Sequence, residues 1–203
     1  MLYIIIVCSC TLILSAILTL VCEVEFLYAL GFTTLAVVAI VALDGLVAGV
    51  ARMLPKKFAD REKKIFHVSA KEKSFYEKLK IRKWKDRVPE IGHLTGFRKN
   101  KIADPKSVEY LDRFLLEACY GEIGHFSSCV LGFLILLLFP VSKIWFAISV
   151  PVAIINVFLN LPSFFILRYT SYKLEILRKN LLKKQRRADA VGVIEKTPVQ
   201  ETL

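Results

Sequence analysis

Leu2-Tyr-Ile-Ile-Ile-Val-Cys-Ser-Cys-Thr-Leu-Ile-Leu-Ser-Ala-Ile-Leu-Thr-Leu-Val-Cys22 runs 21 residues without a charge. Roughly 20 apolar residues cross the hydrocarbon of a bilayer as a helix, so this stretch reads as a span. After Glu23-Val-Glu25 a second apolar run extends from Phe26 to Val50, interrupted only by Asp44. A third, Phe126 to Phe139, ends at Pro140, and a fourth covers Ile144 to Leu167. The third is short, but Ser107 to Gly124 reads as helix and feeds into it, giving a span over about 120–139. The predicted fold is an all-α membrane protein with four transmembrane helices and a basic, amphipathic segment between the second and third.

Charge sets the predicted orientation. Lys and Arg number 18 between Arg52 and Lys106 and nine from Arg168 onward, whereas the opposite connections hold Glu23, Glu25 and Lys143. Basic residues near span ends stay on the cytoplasmic side, so both termini and the 51–106 segment are expected there. The first span lacks a basic leader and a small-residue cleavage site and is read as a retained anchor. The net charge of +11 follows from this asymmetry and from contact with anionic headgroups; no nucleic-acid partner is implied. Five cysteines without a C-x-x-C pair imply neither a disulfide framework nor a zinc site.

Within 51–106, Phe58, Phe66, Phe75, Tyr76, Leu79, Ile81 and Trp84 recur among charges, as in short amphipathic elements lying on a membrane surface. Asp104-Pro105 offers an N-cap with proline at the first helical position. From there Val108, Leu111, Leu115 and Ala118 mark one helix face, and the same spacing continues through Glu122 and His125. These two lie in Glu117-Ala-Cys-Tyr-Gly-Glu-Ile-Gly-His-Phe126, where a polar helix becomes a hydrophobic one. Ionisable groups at that depth cost about 2.5–3.5 kcal/mol to insert and are functional candidates by default. On this helix Gly121, Ser128 and Gly132 follow a small-xxx-small rhythm that lets another helix or an acyl chain approach closely. In the fourth span Asn156 and Asn160 need buried partners, and Pro162 follows. A basic helix over 168–187 and a disordered tail over 188–203 complete the chain.

Several chemistries are excluded. Asp44-Gly45 lacks the further aspartates of a CDP-alcohol transferase, and there is no Gly-rich phosphate loop, H-E-x-x-H or G-x-S-x-G. The histidines are His67, His93 and His125, too few for a multi-histidine metal site, so no metal is expected. His67 reads as a surface residue and His93 lies in a loop dense in cations. His125 stands on the buried stripe with Glu122 in reach, the setting of a general base or of a buried pair that locks two helices together.

Three blocks together resemble the glycosyl-4,4'-diaponeurosporenoate acyltransferase family of bacterial membrane enzymes, named for adding a fatty acyl chain to a glycosylated carotenoid acid. The first runs from Phe75-Tyr76 through Ile81-Arg-Lys-Trp-Lys-Asp86 to Pro89-Glu90; the second is Glu117-x4-Glu122-x2-His125; the third is Asn160-x-Pro162 with Arg168-Tyr169. Leu54-Pro55-x-x-Phe58 extends the likeness upstream. Leu167 departs from the family's Gln, and Thr170-Ser171 depart from Asn-Arg; if those positions touch the acceptor, the substrate differs.

The resemblance implies an O-acyltransferase with no bound cofactor, using acyl-CoA or another acyl donor as co-substrate and a lipid-soluble acceptor. His125 is expected to deprotonate the acceptor hydroxyl, oriented by Glu122, with Glu117 a further catalytic candidate. Arg82, Lys83, Trp84, Lys85, Asp86, Arg87, His93, Asn160, Arg168 and Tyr169 are the expected substrate-binding residues, the cations among them holding donor phosphates. Two alternatives stay open: a noncatalytic membrane scaffold in a lipid pathway, and a transferase using a phospholipid or polyprenyl-linked donor.

Overall fold

The computed structural model describes residues 2–88, 104–140 and 142–196, and His93, Pro89 and Glu90 lie outside them. Every regular element in the described residues is helical: α1 (Leu2–Cys22), α2 (Phe26–Met53), α3 (Ala70–Lys78), α4 (Ile81–Trp84), α5 (Val108–Leu131) and α6 (Lys143–Lys196). Four of these, α1, α2, α5 and α6, are long and apolar enough to cross a membrane. Their outer faces leave Ile13, Leu20, Leu27, Val38, Val130 and Phe158 exposed, the surface a lipid tail covers.

The spans meet around a small-residue core. Ala29, Ala36 and Ile40 of α2 pack with Leu18 of α1, Ile135, and Trp145, Ile148, Val152 and Ala153 of α6. The indole of Trp145 is fully buried and donates to the Ile135 carbonyl at 2.8 Å, satisfying its one polar atom. Past α5 the chain tightens into a 3-10 turn, Gly132–Leu137, before the bend at Pro140.

Helix α6 continues through Pro151 and Pro162 for 54 residues. At 1.5 Å per residue that is about 81 Å, far more than a bilayer's hydrocarbon of about 30 Å. The fourth span and the basic helix expected after it are one element, because the sequence from Arg168 to Ala190 carries neither Pro nor Gly. The boundary expected at 187/188 is likewise crossed, with helix to Lys196. The N-cap of α5 also differs from expectation. Asp104 Oδ1 accepts from the amides of Lys106 and Ser107, closing a turn around Pro105, and Ser107 then caps the helix through the Tyr110 amide at 3.1 Å.

Residues 54–88 fold onto the projecting parts of α5 and α6. Phe66 and Ala59 pack with Cys119 and Tyr120, and Tyr120 Oη donates to the Leu54 carbonyl at 3.0 Å. Val68, Tyr76 and Ile81 pack with Ile166 and Tyr169. The aromatic residues read as a membrane-facing set therefore divide: Phe66 and Tyr76 are buried in protein, whereas Phe58 and Phe75 remain exposed.

Candidate active site

Two polar networks lie on successive turns of α5, one at Glu122 and one at His125. Glu122 is 2 % exposed and accepts from Arg61 Nη1 at 2.6 Å, from Arg168 Nη1 at 3.3 Å and from Ser171 Oγ at 3.2 Å. A buried carboxylate at this cost needs such partners. Arg168 extends the cluster, with Nε and Nη2 both 2.8 Å from the two oxygens of Glu72, and its remaining donors on the carbonyls of Ile65 and His67. All five guanidinium hydrogens are thus matched. Arg61 Nε donates to Glu175, closing an alternating chain Glu72, Arg168, Glu122, Arg61, Glu175 that ties the 54–88 segment to α5 and α6.

The outer members of this chain show its field. Burial works to depress the Arg61 guanidinium, but Glu122 and Glu175 outweigh it and hold its pKa above the ordinary value. Burial likewise pushes Glu72 upward, and the hydrogen bonds from Arg168 and Tyr76 overcome it, leaving the carboxyl below the usual range. Burial and the Glu72 carboxylate raise the Tyr76 phenol, which stays protonated and donates to Glu72.

One turn deeper, His125 Nδ1 is 2.8 Å from Asn160 Oδ1. The amide's orientation follows from its other end, where Asn160 Nδ2 donates to Asp44 Oδ2 at 3.0 Å and Asn156 Oδ1 at 2.9 Å. Its oxygen therefore accepts, so Nδ1 of the imidazole carries the proton and, in the neutral ring, Nε2 holds the basic lone pair. Asn156 Nδ2 donates to the second oxygen of Asp44 and to the Ser128 carbonyl, each at 3.3 Å. Asp44 of α2, His125 of α5 and Asn156 and Asn160 of α6 thus form one polar chain across three spans.

Glycine makes room for it. A Cβ on Gly132 would stand 2.7 Å from Asn156 Nδ2, and one on Gly121 would stand 2.7 Å from Leu167 Cδ1. The neighbour that the Gly121, Ser128, Gly132 row admits is α6.

The expected site residues are distributed as follows. No hydrogen bond joins Glu122 to His125 among the described residues; the partner that orients the imidazole is Asn160, with Asp44 behind it. Glu117 pairs with Arg52 at 3.7 Å, on the side of α5 facing α2. Arg168 is 8 % exposed and occupied by Glu72 and Glu122, and Tyr169 is 7 % exposed with its hydroxyl accepting from Lys173 Nζ at 2.6 Å. Arg82, Lys83 and Arg87 are exposed on α4 and the turn after it, Lys85 lies 3.5 Å from Asp86, and Trp84 Nε1 donates to the Leu79 carbonyl. Asp44, Arg61, Glu72 and Ser171 were not singled out as site residues by sequence. Asp44 carried a signal as the lone charge in an apolar run, and Ser171 only as a departure from the family pattern.

The motif blocks meet in space: His125 and Glu122 of the second block touch Asn160 and Arg168 of the third, and Tyr76 and Ile81 of the first pack with Tyr169 of the third. The family model for glycosyl-4,4'-diaponeurosporenoate acyltransferase matches residues 55–180. The chain belongs to this acyltransferase family. No curated protein and no solved structure matches it. The matched region holds both networks except Asp44, which the preceding hairpin of α1 and α2 brings to them.

Proposed function

We propose that the protein is a membrane O-acyltransferase that moves a fatty acyl group from a thioester to a hydroxyl of a lipid-soluble acceptor, a sugar hydroxyl of a glycosylated carotenoid being the family's example. The observation that carries the reading is the chain His125, Asn160, Asp44. Asn160 fixes the imidazole tautomer, and the Asp44 carboxylate polarises the amide so that positive charge forming on the ring is stabilised. Nε2 takes the acceptor's proton as its oxygen adds to the thioester carbonyl. Collapse of the tetrahedral adduct breaks the C–S bond, and the proton passes from Nε2 to the departing sulfur. The base is regenerated and no covalent enzyme intermediate is needed.

The Glu122 cluster supports this from one turn away. It anchors the 54–88 segment over the water-facing ends of α5 and α6 and so shapes the way in for a polar donor. The family departures also favour retained chemistry: Leu167 lies against Gly121 and Ser171 donates to Glu122, so both serve the α5–α6 contact. With the positive-inside bias, we place that end and both termini in the cytoplasm of a bacterial cell, the acceptor arriving from the bilayer. The scaffold alternative shares the Glu122 cluster but gives no reason for a histidine wired to the lone aspartate of an apolar helix.

The deciding experiment measures acyl transfer by purified protein to a glycosylated carotenoid, with palmitoyl-CoA as donor. General-base assistance contributes about 100- to 10,000-fold, so His125→Ala is expected to lose that much turnover while folding normally. Unchanged turnover per folded molecule would remove the histidine from the chemistry.

A further inference from the structure

Asn156 has no role in the mechanism above, although it is 4 % exposed between three spans with both ends of its amide in use. The two hydrogens on Nδ2 go to Asp44 Oδ1 on α2 and to the Ser128 carbonyl on α5, each at 3.3 Å. Oδ1 accepts from Asn160 Nδ2 at 2.9 Å, one turn along α6. The Ser128 carbonyl belongs to the last turn of α5, where it also accepts from the Gly132 amide, so Asn156 is tied to backbone that cannot turn away. These partners leave the two asparagines a single arrangement. Reversing the Asn156 amide would set its oxygen against Asp44 Oδ1 and the Ser128 carbonyl, and its nitrogen against Asn160 Nδ2. Reversing the Asn160 amide would set its oxygen against Asp44 Oδ2, Asn156 Oδ1 and the Asn156 backbone carbonyl, which its nitrogen now meets at 3.0, 2.9 and 3.2 Å. Neither can reverse alone, because the polar groups left unsatisfied would have no water to turn to inside a bilayer.

We infer that Asn156 is a positioning residue for the transfer reaction, locking the Asn160 amide and the Asp44 carboxylate in the orientation that keeps the proton on Nδ1 of His125 and the lone pair on Nε2. The inference rests on the acyl-transfer reading for what the imidazole then does. Two features separate this role from simple packing. Asn156 divides the Asp44 carboxylate, taking Oδ1 and leaving Oδ2 to Asn160, so the charge is aimed along the chain that ends at His125 Nδ1. And an asparagine that only joined α6 to α5 would need the Ser128 carbonyl alone, whereas here the second hydrogen and the oxygen both go to the residues behind the base. Because the hydrogen bond made by one ring nitrogen decides where the proton sits on the other, a residue two bonds removed from the ring can set its tautomer.

The test reads the ring as well as turnover. Nitrogen NMR of the full-length protein in detergent, carrying isotopically labelled histidine at about pH 8.5 where an ordinary imidazole is neutral, reports the His125 tautomer from the signals that His125→Ala lacks. The parent is expected to show one tautomer, protonated on Nδ1, and Asn156→Leu a mixture of the two. With palmitoyl-CoA and a glycosylated carotenoid, Asn156→Leu should lower kcat about tenfold and leave KM for both substrates unchanged. Combined with Asp44→Asn the total loss should stay about tenfold and not multiply to about a hundredfold, since both changes break one unit. Asn156→Asp is the conservative variant: its carboxyl shares a proton with Asp44 and still accepts from Asn160, so the single tautomer and most of kcat should be retained. The inference is overturned if Asn156→Leu keeps the single Nδ1-protonated tautomer, if its turnover per folded molecule is unchanged while His125→Ala loses activity, or if Asn156→Asp retains neither property. Should His125→Ala turn over as the parent does, the catalytic reading fails by itself, and the tautomer measurement, which needs no substrate, still decides whether Asn156 positions the ring.

Discussion

At the scale of single residues, a carboxylate beneath a histidine is worth most when the histidine becomes charged. Asp44 reaches His125 only through the Asn160 amide, so its effect on the ring is real but indirect. Asp44→Asn keeps the shape and is expected to lower kcat about tenfold with little change in KM, since the interaction strengthens only as the imidazole gains a proton. Residues that act as a unit are not additive, so in the His125→Ala background the same change should cost nothing further. Additive losses would make Asp44 a structural member of the span and not a positioning residue. Glu72 supports a different measurement. Its carboxyl is held below the ordinary value of 4.5, so its ion pair with Arg168 contributes stability that is present above that value and lost as pH falls through the lower, folded one. Thermal unfolding followed from pH 7 downward should show a decline starting below about pH 4.5, and Glu72→Gln should flatten it while lowering stability at neutral pH.

Among elements, the contact between α5 and α6 decides whether the site assembles. Gly132→Ala would push a methyl within 2.7 Å of Asn156 Nδ2, displacing an amide held by Asp44 and the Ser128 carbonyl. Activity is expected to fall at least tenfold with helix content unchanged by circular dichroism. Gly49→Ala on α2 meets no atom within 4 Å and should leave activity alone while stabilising the helix by about 0.5–1 kcal/mol. Equal behaviour of the two variants would mean that the glycine row serves no close packing. Much of this was legible beforehand, because a 3.6-residue period places Glu122, His125 and the small residues on a common face and apolar length marks each span. Which helix faces which is not in the period. Asp44 and Asn160 are 116 positions apart, and Arg61 and Glu122 are 61 apart, so their pairing depends on how whole helices dock. The need was visible where the partner was not: a lone aspartate and two asparagines in apolar runs each demand a polar neighbour, and they turn out to satisfy one another. Arg61 gave no such warning among the basic residues of its segment.

For the whole molecule, the controlling fact is that residues 54–88 and the basic part of α6 fall at one end of the bundle. Helix α6 projects well beyond a membrane's thickness, and the Glu72 to Glu175 chain clamps residues 54–88 against that projection. Along the sequence, 27 of the 29 basic residues fall in 52–106 or from 168 onward, so the side of the membrane these segments take fixes where a donor can enter. In a cysteine-free background, single cysteines replacing Lys71 and Lys143 sit at opposite ends of this arrangement, the first on α3 and the second at the start of α6. An impermeant maleimide applied to intact cells is expected to label Lys143→Cys strongly and Lys71→Cys only after the membrane is opened. The reverse pattern would put the end clamped by the Glu72 to Glu175 chain outside, where no acyl-CoA is available, and a thioester donor would then be untenable even if His125 proved essential. Labelling of both positions in intact cells would mean that the four helices do not all cross, and Asp44, His125 and Asn160 could not then meet at a common depth.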